Sequence, residues 1–100
     1  MTDLTTLEKQ SYEERIFEFD MSGLMNESAT VATIVSVVSV TQTPGVGTVT
    51  VSGSTGVGTQ SVKALFAGGT DGELYKITCK ATDTDGQKIE WDGYLAVRDV

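Results

Sequence analysis

Asp83 and Asp85 stand two residues apart and are followed by Gly86, the spacing with which a calcium-binding loop opens. Such a loop carries a Glu at its twelfth position, and counting from Asp83 puts Tyr94 there. Asp71, Glu73 and Asp92 could join a cross-loop cation site, but Asx turns account for the same residues. No metal site is expected. Glu90 and Asp92 form a carboxylate pair of the kind that glycoside hydrolysis uses. Alternation places both on the polar face of a strand, in a chain too short to enclose a deep cleft, where charge deters edge pairing. Trp91, Tyr94 and Tyr75 could stack on a sugar. Parity sets Trp91 with Ile89 and Leu95 on an apolar face and Tyr94 on the opposite one. Trp91 is therefore expected in the core and Tyr94 at a contact surface.

The remaining chemistry is sparse. Cys79, the only cysteine, lies beside Ile77 and Ala81 with no cationic neighbour in sequence, so an inert core thiol is expected. There is no histidine, which removes Ser-His and Cys-His nucleophiles and any Cys/His zinc site. The Gly-rich stretches lack the Gly-Lys-Ser/Thr ending of a phosphate loop and the helix that a dinucleotide fingerprint opens. No catalytic residue and no cofactor is expected. The net charge of −7 argues against nucleic acid and against anionic membrane surfaces.

Such a chain positions its residues with strands. Its 100 residues suffice for one modest core, and 39% apolar with 21% charged residues is a folding composition. Residues 1–27 are charged, residues 28–62 carry no charged side chain, and residues 63–100 alternate. The neutral middle is rich in Val and Thr, which favour pleated backbone. Strands are expected over 15–20, 30–40 (as one or two), 48–51, 60–66, 74–82 and 88–98. In 74–82, Tyr75, Ile77, Cys79 and Ala81 share one face while Lys76, Thr78, Lys80 and Thr82 share the other. A slip of one residue would bury the lysines, so this register is well specified. Pro44-Gly45, Gly53-Ser54, Asp71-Gly72 and Asp85-Gly86 mark turns, the last joining the final two strands. Gly45-Val46-Gly47-Thr48 recurs as Gly56-Val57-Gly58-Thr59, which reads as the two ends of a Gly-rich hairpin region. Strands at this spacing predict an all-β fold, an antiparallel immunoglobulin-like β-sandwich over residues 14–100.

Residues 1–13 read as an extended N-terminal arm, in which only Leu4 to Tyr12 could make a helical turn or two after a possible Asp3 cap. The start is not basic and leads into no apolar stretch, so no signal peptide is expected. The longest apolar run, Ala29 to Val40, is too short for a spanning helix. Leu4, Leu7 and Tyr12 have no evident partner within a sandwich. They are candidate anchors on a neighbouring subunit, and Tyr94 is a fourth interface candidate.

Several stretches together resemble the bacteriophage fibre–tail adaptor family. Phe19-Asp20-Met21-Ser22-Gly23-Leu24 is similar to the family's aromatic-Asp-Trp-Ser start, with Met21 in place of the Trp. Thr33-Ile34-Val35-Ser36 looks like its second strand. Leu65 to Thr78, through Gly68-Gly69-Thr70 and Tyr75-Lys76-Ile77-Thr78, resembles its Gly-Gly-Thr turn running into Tyr-x-Val-Thr. Asp83 to Lys88 looks like the hairpin that follows, and Leu95-Ala96-Val97-Arg98-Asp99 resembles the C-terminal Val-Arg-Asp. The family's Lys-Asp-Pro opening and its Pro-x-Gly-Leu middle are missing. The resemblance implies a non-enzymatic virion protein of a phage tail or neck, made in the host cytoplasm. It would act as an adaptor between tail or connector and fibres or neighbouring virion proteins, in a symmetric multi-copy assembly. The other reading is an Ig-like surface module that binds a glycan or a calcium-linked ligand.

Overall fold

The computed structural model describes residues 5–42 and 47–100. Seven strands follow in order: β1 (Thr5–Lys9), β2 (Arg15–Asp20), β3 (Val31–Thr41), β4 (Val49–Thr55), β5 (Ser61–Gly68), β6 (Leu74–Asp83) and β7 (Lys88–Val97). A 3-10 turn, Ser22–Leu24, follows β2. The strands form a four-stranded sheet, β1-β7-β6-β3, and a three-stranded sheet, β2-β5-β4. The two sheets share one core in a sandwich-like arrangement. Phe19, Val49, Val62, Ala64 and Phe66 from the smaller sheet meet Val31, Tyr75, Ile77, Cys79, Ala81, Ile89, Leu95 and Val97 from the larger.

The alternating segments lie as their periodicity requires. In β6 the buried residues are Tyr75, Ile77, Cys79, Ala81 and Asp83, and in β5 they are Val62, Ala64 and Phe66. Asp83, Asp85 and Gly86 make the turn between β6 and β7: the Asp83 carboxylate accepts from the Asp85 and Gln87 amides, and Gly86 takes φ +83°. The expected strand over 30–40 is one strand with register shifts between Val31 and Thr33 and between Ile34 and Ser36. Trp91 is half-buried and packs its ring against Phe19 of the facing sheet, centroids 4.5 Å apart. Gly69, at φ +101°, is required by close approach as well as by conformation. A Cβ there would sit 2.8 Å from Val97 and 2.9 Å from Val49.

The N-terminal segment differs from the expected arm. Over Thr5–Lys9 it is the edge strand of the larger sheet, paired in parallel with β7 from Thr5 opposite Gly93 to Lys9 opposite Val97. Among the described residues the two sheets are therefore antiparallel except at this ladder. Nor is there a helical turn among the described residues up to Tyr12. The physical reason is long-range. Leu7 packs on the core, and Lys9 is buried with its Nζ donating to the carbonyls of Gln10 (2.7 Å) and Glu13 (2.8 Å). Arg98 N donates to Lys9 O, the Ser11 amide and hydroxyl both donate to the Asp99 carboxylate, and Asp99 N donates to Asp71. The turn after β1 is thus tied to the chain's last residues. Leu4, Pro44-Gly45 and the Gly45-Val46 half of the first Gly-Val-Gly-Thr copy lie outside the described residues.

Candidate protein–protein interface

Two surfaces follow from this topology. The first is the outer face of the larger sheet. Paired residues on adjacent strands point to the same side, so Val40, Lys76, Tyr94 and Thr6 form one row across β3, β6, β7 and β1. Val38, Thr78 and Asp92 form the next row, and Ser36, Lys80 and Glu90 the third. The Thr78 hydroxyl donates to Asp92 at 3.0 Å. The neighbouring Asp92 carboxylate, by favouring a shared proton and by its charge, raises the Glu90 pKa, while Lys80 and Lys76 pull it back down. The carboxylate pair therefore sits on an open face among lysines rather than in a cleft.

The second surface is a side of the sandwich. β3 ends the larger sheet, β4 ends the smaller one, and the two are in contact. Both lie within residues 28–62, so both edges on this side are free of charge. The opposite side is bounded by β1 and β2, which carry Glu8, Lys9, Arg15, Glu18 and Asp20. Ion pairs stud that side: Arg98 with Glu8, Arg15 with Glu13, and Lys63 with Glu18. Exposed valines mark the neutral edge, with Val38 45% and Val40 58% exposed.

The residues singled out from sequence fall as follows. Tyr12 is 96% exposed at the turn after β1. Tyr94 is half-buried on the outer face of the larger sheet. Leu7 is turned inward against the core. Trp91 and Tyr94 lie on opposite faces of β7 and Tyr75 is fully buried, so the three aromatics form no common platform. The Asp85 carboxylate accepts from the Asn26 side chain at 2.7 Å, and one oxygen of Asp83 is buried without a partner. Among the described residues no group of three or more His, Cys, Asp or Glu side chains converges as a metal site would require. Burial pushes the Cys79 thiol up to about 11, which leaves it protonated at neutral pH.

Two features escaped the sequence. One is the strand β1, discussed above. The other is the Tyr75 hydroxyl, which donates to Gly47 O at 2.6 Å and accepts from Thr70 N at 3.0 Å, clamping the loop before β6 to the segment before β4. The nearest signal for it was the Gly-Gly-Thr sequence followed by an aromatic residue.

A family model described as podophage GP4 fiber-tail adaptor protein gp77 matches residues 9–96. The match runs from the end of β1 through all but the last residue of β7. No curated protein matches the chain.

Proposed function

The chain belongs to the podophage GP4 fiber-tail adaptor family, and from that membership we propose that it is a non-enzymatic structural component of a phage tail or neck. In this reading it joins tail or connector to fibres or to neighbouring virion proteins by surface contact. The observation that carries the reading is the extent of the match, which takes in nearly the whole sandwich. We read the sandwich as immunoglobulin-like. Lettering β2 to β7 as B to G divides the strands into B-E-D and C-F-G, the division of a constant-type immunoglobulin domain. Tyr75 near the start of strand F (β6), with its hydroxyl bound to upstream backbone, fits the tyrosine corner of such domains.

Tyr12 and Tyr94 are the side chains we assign to contacts with neighbouring virion proteins, one at the charged end and one on the outer sheet face. Leu7 supports that surface from beneath, and Leu4, outside the described residues, is assigned to the same contact. The division into a segment 1–13 and a domain 14–100 is retained as a functional one, with the short segment presenting Tyr12. Assembly in several symmetric copies follows the same reading.

The test is quantitative mass spectrometry of purified particles, with crosslinking. Several copies of this chain per particle, with crosslinks from the Tyr12 turn to a tail or fibre protein, are expected. Its absence from particles, with the chain free in the lysate, would refute the adaptor role. Particles built from Tyr12→Ala/Tyr94→Ala chains should lose fibres, and unchanged fibre occupancy would remove those two residues from the interface.

A further inference from the structure

We propose that the β3 edge pairs with the β3 edge of a second copy of this chain, antiparallel and centred on Val38. The two four-stranded sheets then become one continuous sheet. The inference rests on the multi-copy reading above and names the surface by which copies meet.

Four strands end the two sheets, and they differ in what they offer. β1 and β2 carry charges of both signs. β4 is uncharged but its register breaks between Ser52 and Thr55, with Gly53 at φ +65°. β3 runs in unbroken register with β6 from Ser36 to Thr41, about 20 Å at 3.4 Å per residue, and carries no charge. Among the described residues no strand lies on its other side. An uncharged, regular edge is the kind that invites a further strand.

The hydrogen-bond phase fixes what is free on that edge. Gln42 N donates to Leu74 O, so by the alternation of an antiparallel ladder Val40 and Val38 exchange bonds with Lys76 and Thr78. The amides and carbonyls of Val37 and Ser39 then point away from the sheet. These two residues are self-complementary about Val38: Val37 of one copy can exchange both bonds with Ser39 of the other, and the reverse. Val38 then faces its own counterpart on the two-fold axis, and Val40 faces Ser36 of the partner copy. This covers the exposed valines of both copies with apolar or hydroxyl neighbours.

Charge selects a second copy as the occupant. Two chains of −7 repel, and repulsion is least where neither brings a charged residue to the seam. The β3 seam meets that condition, whereas the β1 and β2 edges would set Glu8, Glu18 or Asp20 against a like-charged molecule.

The test is sedimentation velocity on the full chain. Wild type is expected to form a dimer with Kd below about 100 µM. Ser39→Pro removes a donor from the free edge but none from the β3–β6 ladder, and should weaken association at least about tenfold while the melting temperature holds. Val38→Lys and Val38→Glu keep every backbone group and place like charges on the axis, so each alone should be monomeric. Mixed, they should recover a heterodimer, because residue 38 meets residue 38. A monomeric wild type through that concentration range, a dimer indifferent to Val38→Lys, or failure of the mixture to pair would each overturn the proposal. Particle incorporation of the same variants is scored separately. A monomeric chain found in particles refutes the β3 seam and leaves the adaptor reading standing, while absence of wild type from particles refutes the adaptor reading itself.

Discussion

Replacing Tyr75 with Phe removes one oxygen atom from a fully buried ring. That oxygen donates to Gly47 O at 2.6 Å and accepts from Thr70 N at 3.0 Å. The ring itself keeps its place between Gly69 and the core, so no cavity larger than a hydroxyl forms. What remains is a backbone N–H and a backbone C=O that lose a shared partner. Each net hydrogen bond contributes about 1 kcal/mol, and leaving the backbone groups unsatisfied gives an expected loss of about 2 kcal/mol. For a chain of 100 residues this corresponds to a melting temperature lower by roughly 8–16 °C. Urea unfolding followed by Trp91 fluorescence measures it, with the m-value unchanged because the surface exposed on unfolding is the same. Tyr94→Phe is the control. Its ring lies on the outer sheet face, and the expected change is under about 0.5 kcal/mol. A Tyr75→Phe loss no larger than that of the control would mean that the clamp carries no stability and that the loop before β6 is held by packing alone.

Three further outcomes are expected. Gly93→Ala should destabilise the fold by about 1–3 kcal/mol, because the new Cβ would run into the Trp91 ring and lie 2.8 Å from Thr5 O; hydrogen exchange should quicken first in Thr5–Lys9, and uniform exchange would argue against this local strain. Cys79 should resist a thiol-specific maleimide at neutral pH until urea unfolds the chain, since burial raises its pKa to about 11; labelling of the folded chain at the rate of a free thiol would refute the buried assignment. Burial lowers the Lys9 pKa from 10.5 in spite of Glu13, Asp99 and Glu14, so the folded chain releases this proton before the unfolded chain does. Stability relative to Lys9→Met should therefore rise with pH through the window below 10.5, and a flat difference between the two chains would show that the amine titrates normally.

How far the fold could be read in advance depended on whether the signal was local. β6 and β7 announce themselves because every second residue from Tyr75 to Ala81 is apolar and the residues between are Lys or Thr. The turn between them is written in Asp83-Thr84-Asp85-Gly86. Burial of Cys79 followed from the same parity. β1 had no such mark. Thr5-Thr6-Leu7-Glu8-Lys9 holds one apolar residue, and its partner Val97 lies at the far end of the chain. A parallel ladder between the chain's two ends leaves no turn sequence to find. Lys9 misleads further, since its charge suggests exposure while its amine is satisfied by two carbonyls of the next turn. The Phe19–Trp91 contact and the Tyr75 clamp are likewise products of sheet facing sheet.

The distribution of charge has a consequence that composition alone conceals. A net −7 spread evenly would make every approach between copies unfavourable. The chain instead keeps residues 28–62 neutral, and the topology gathers both edges drawn from that segment, β3 and β4, on one side. The β1 and β2 side holds ion pairs that are exposed and individually weak, Arg98 with Glu8 and Lys63 with Glu18 among them. They stabilise little but keep strands of other molecules from joining those edges. On the proposed adaptor reading the two sides would do different work. The charged side, where Tyr12 projects, suits contacts made and chosen by side chains. The neutral side suits contacts made by backbone, which any copy of the same chain can supply in register.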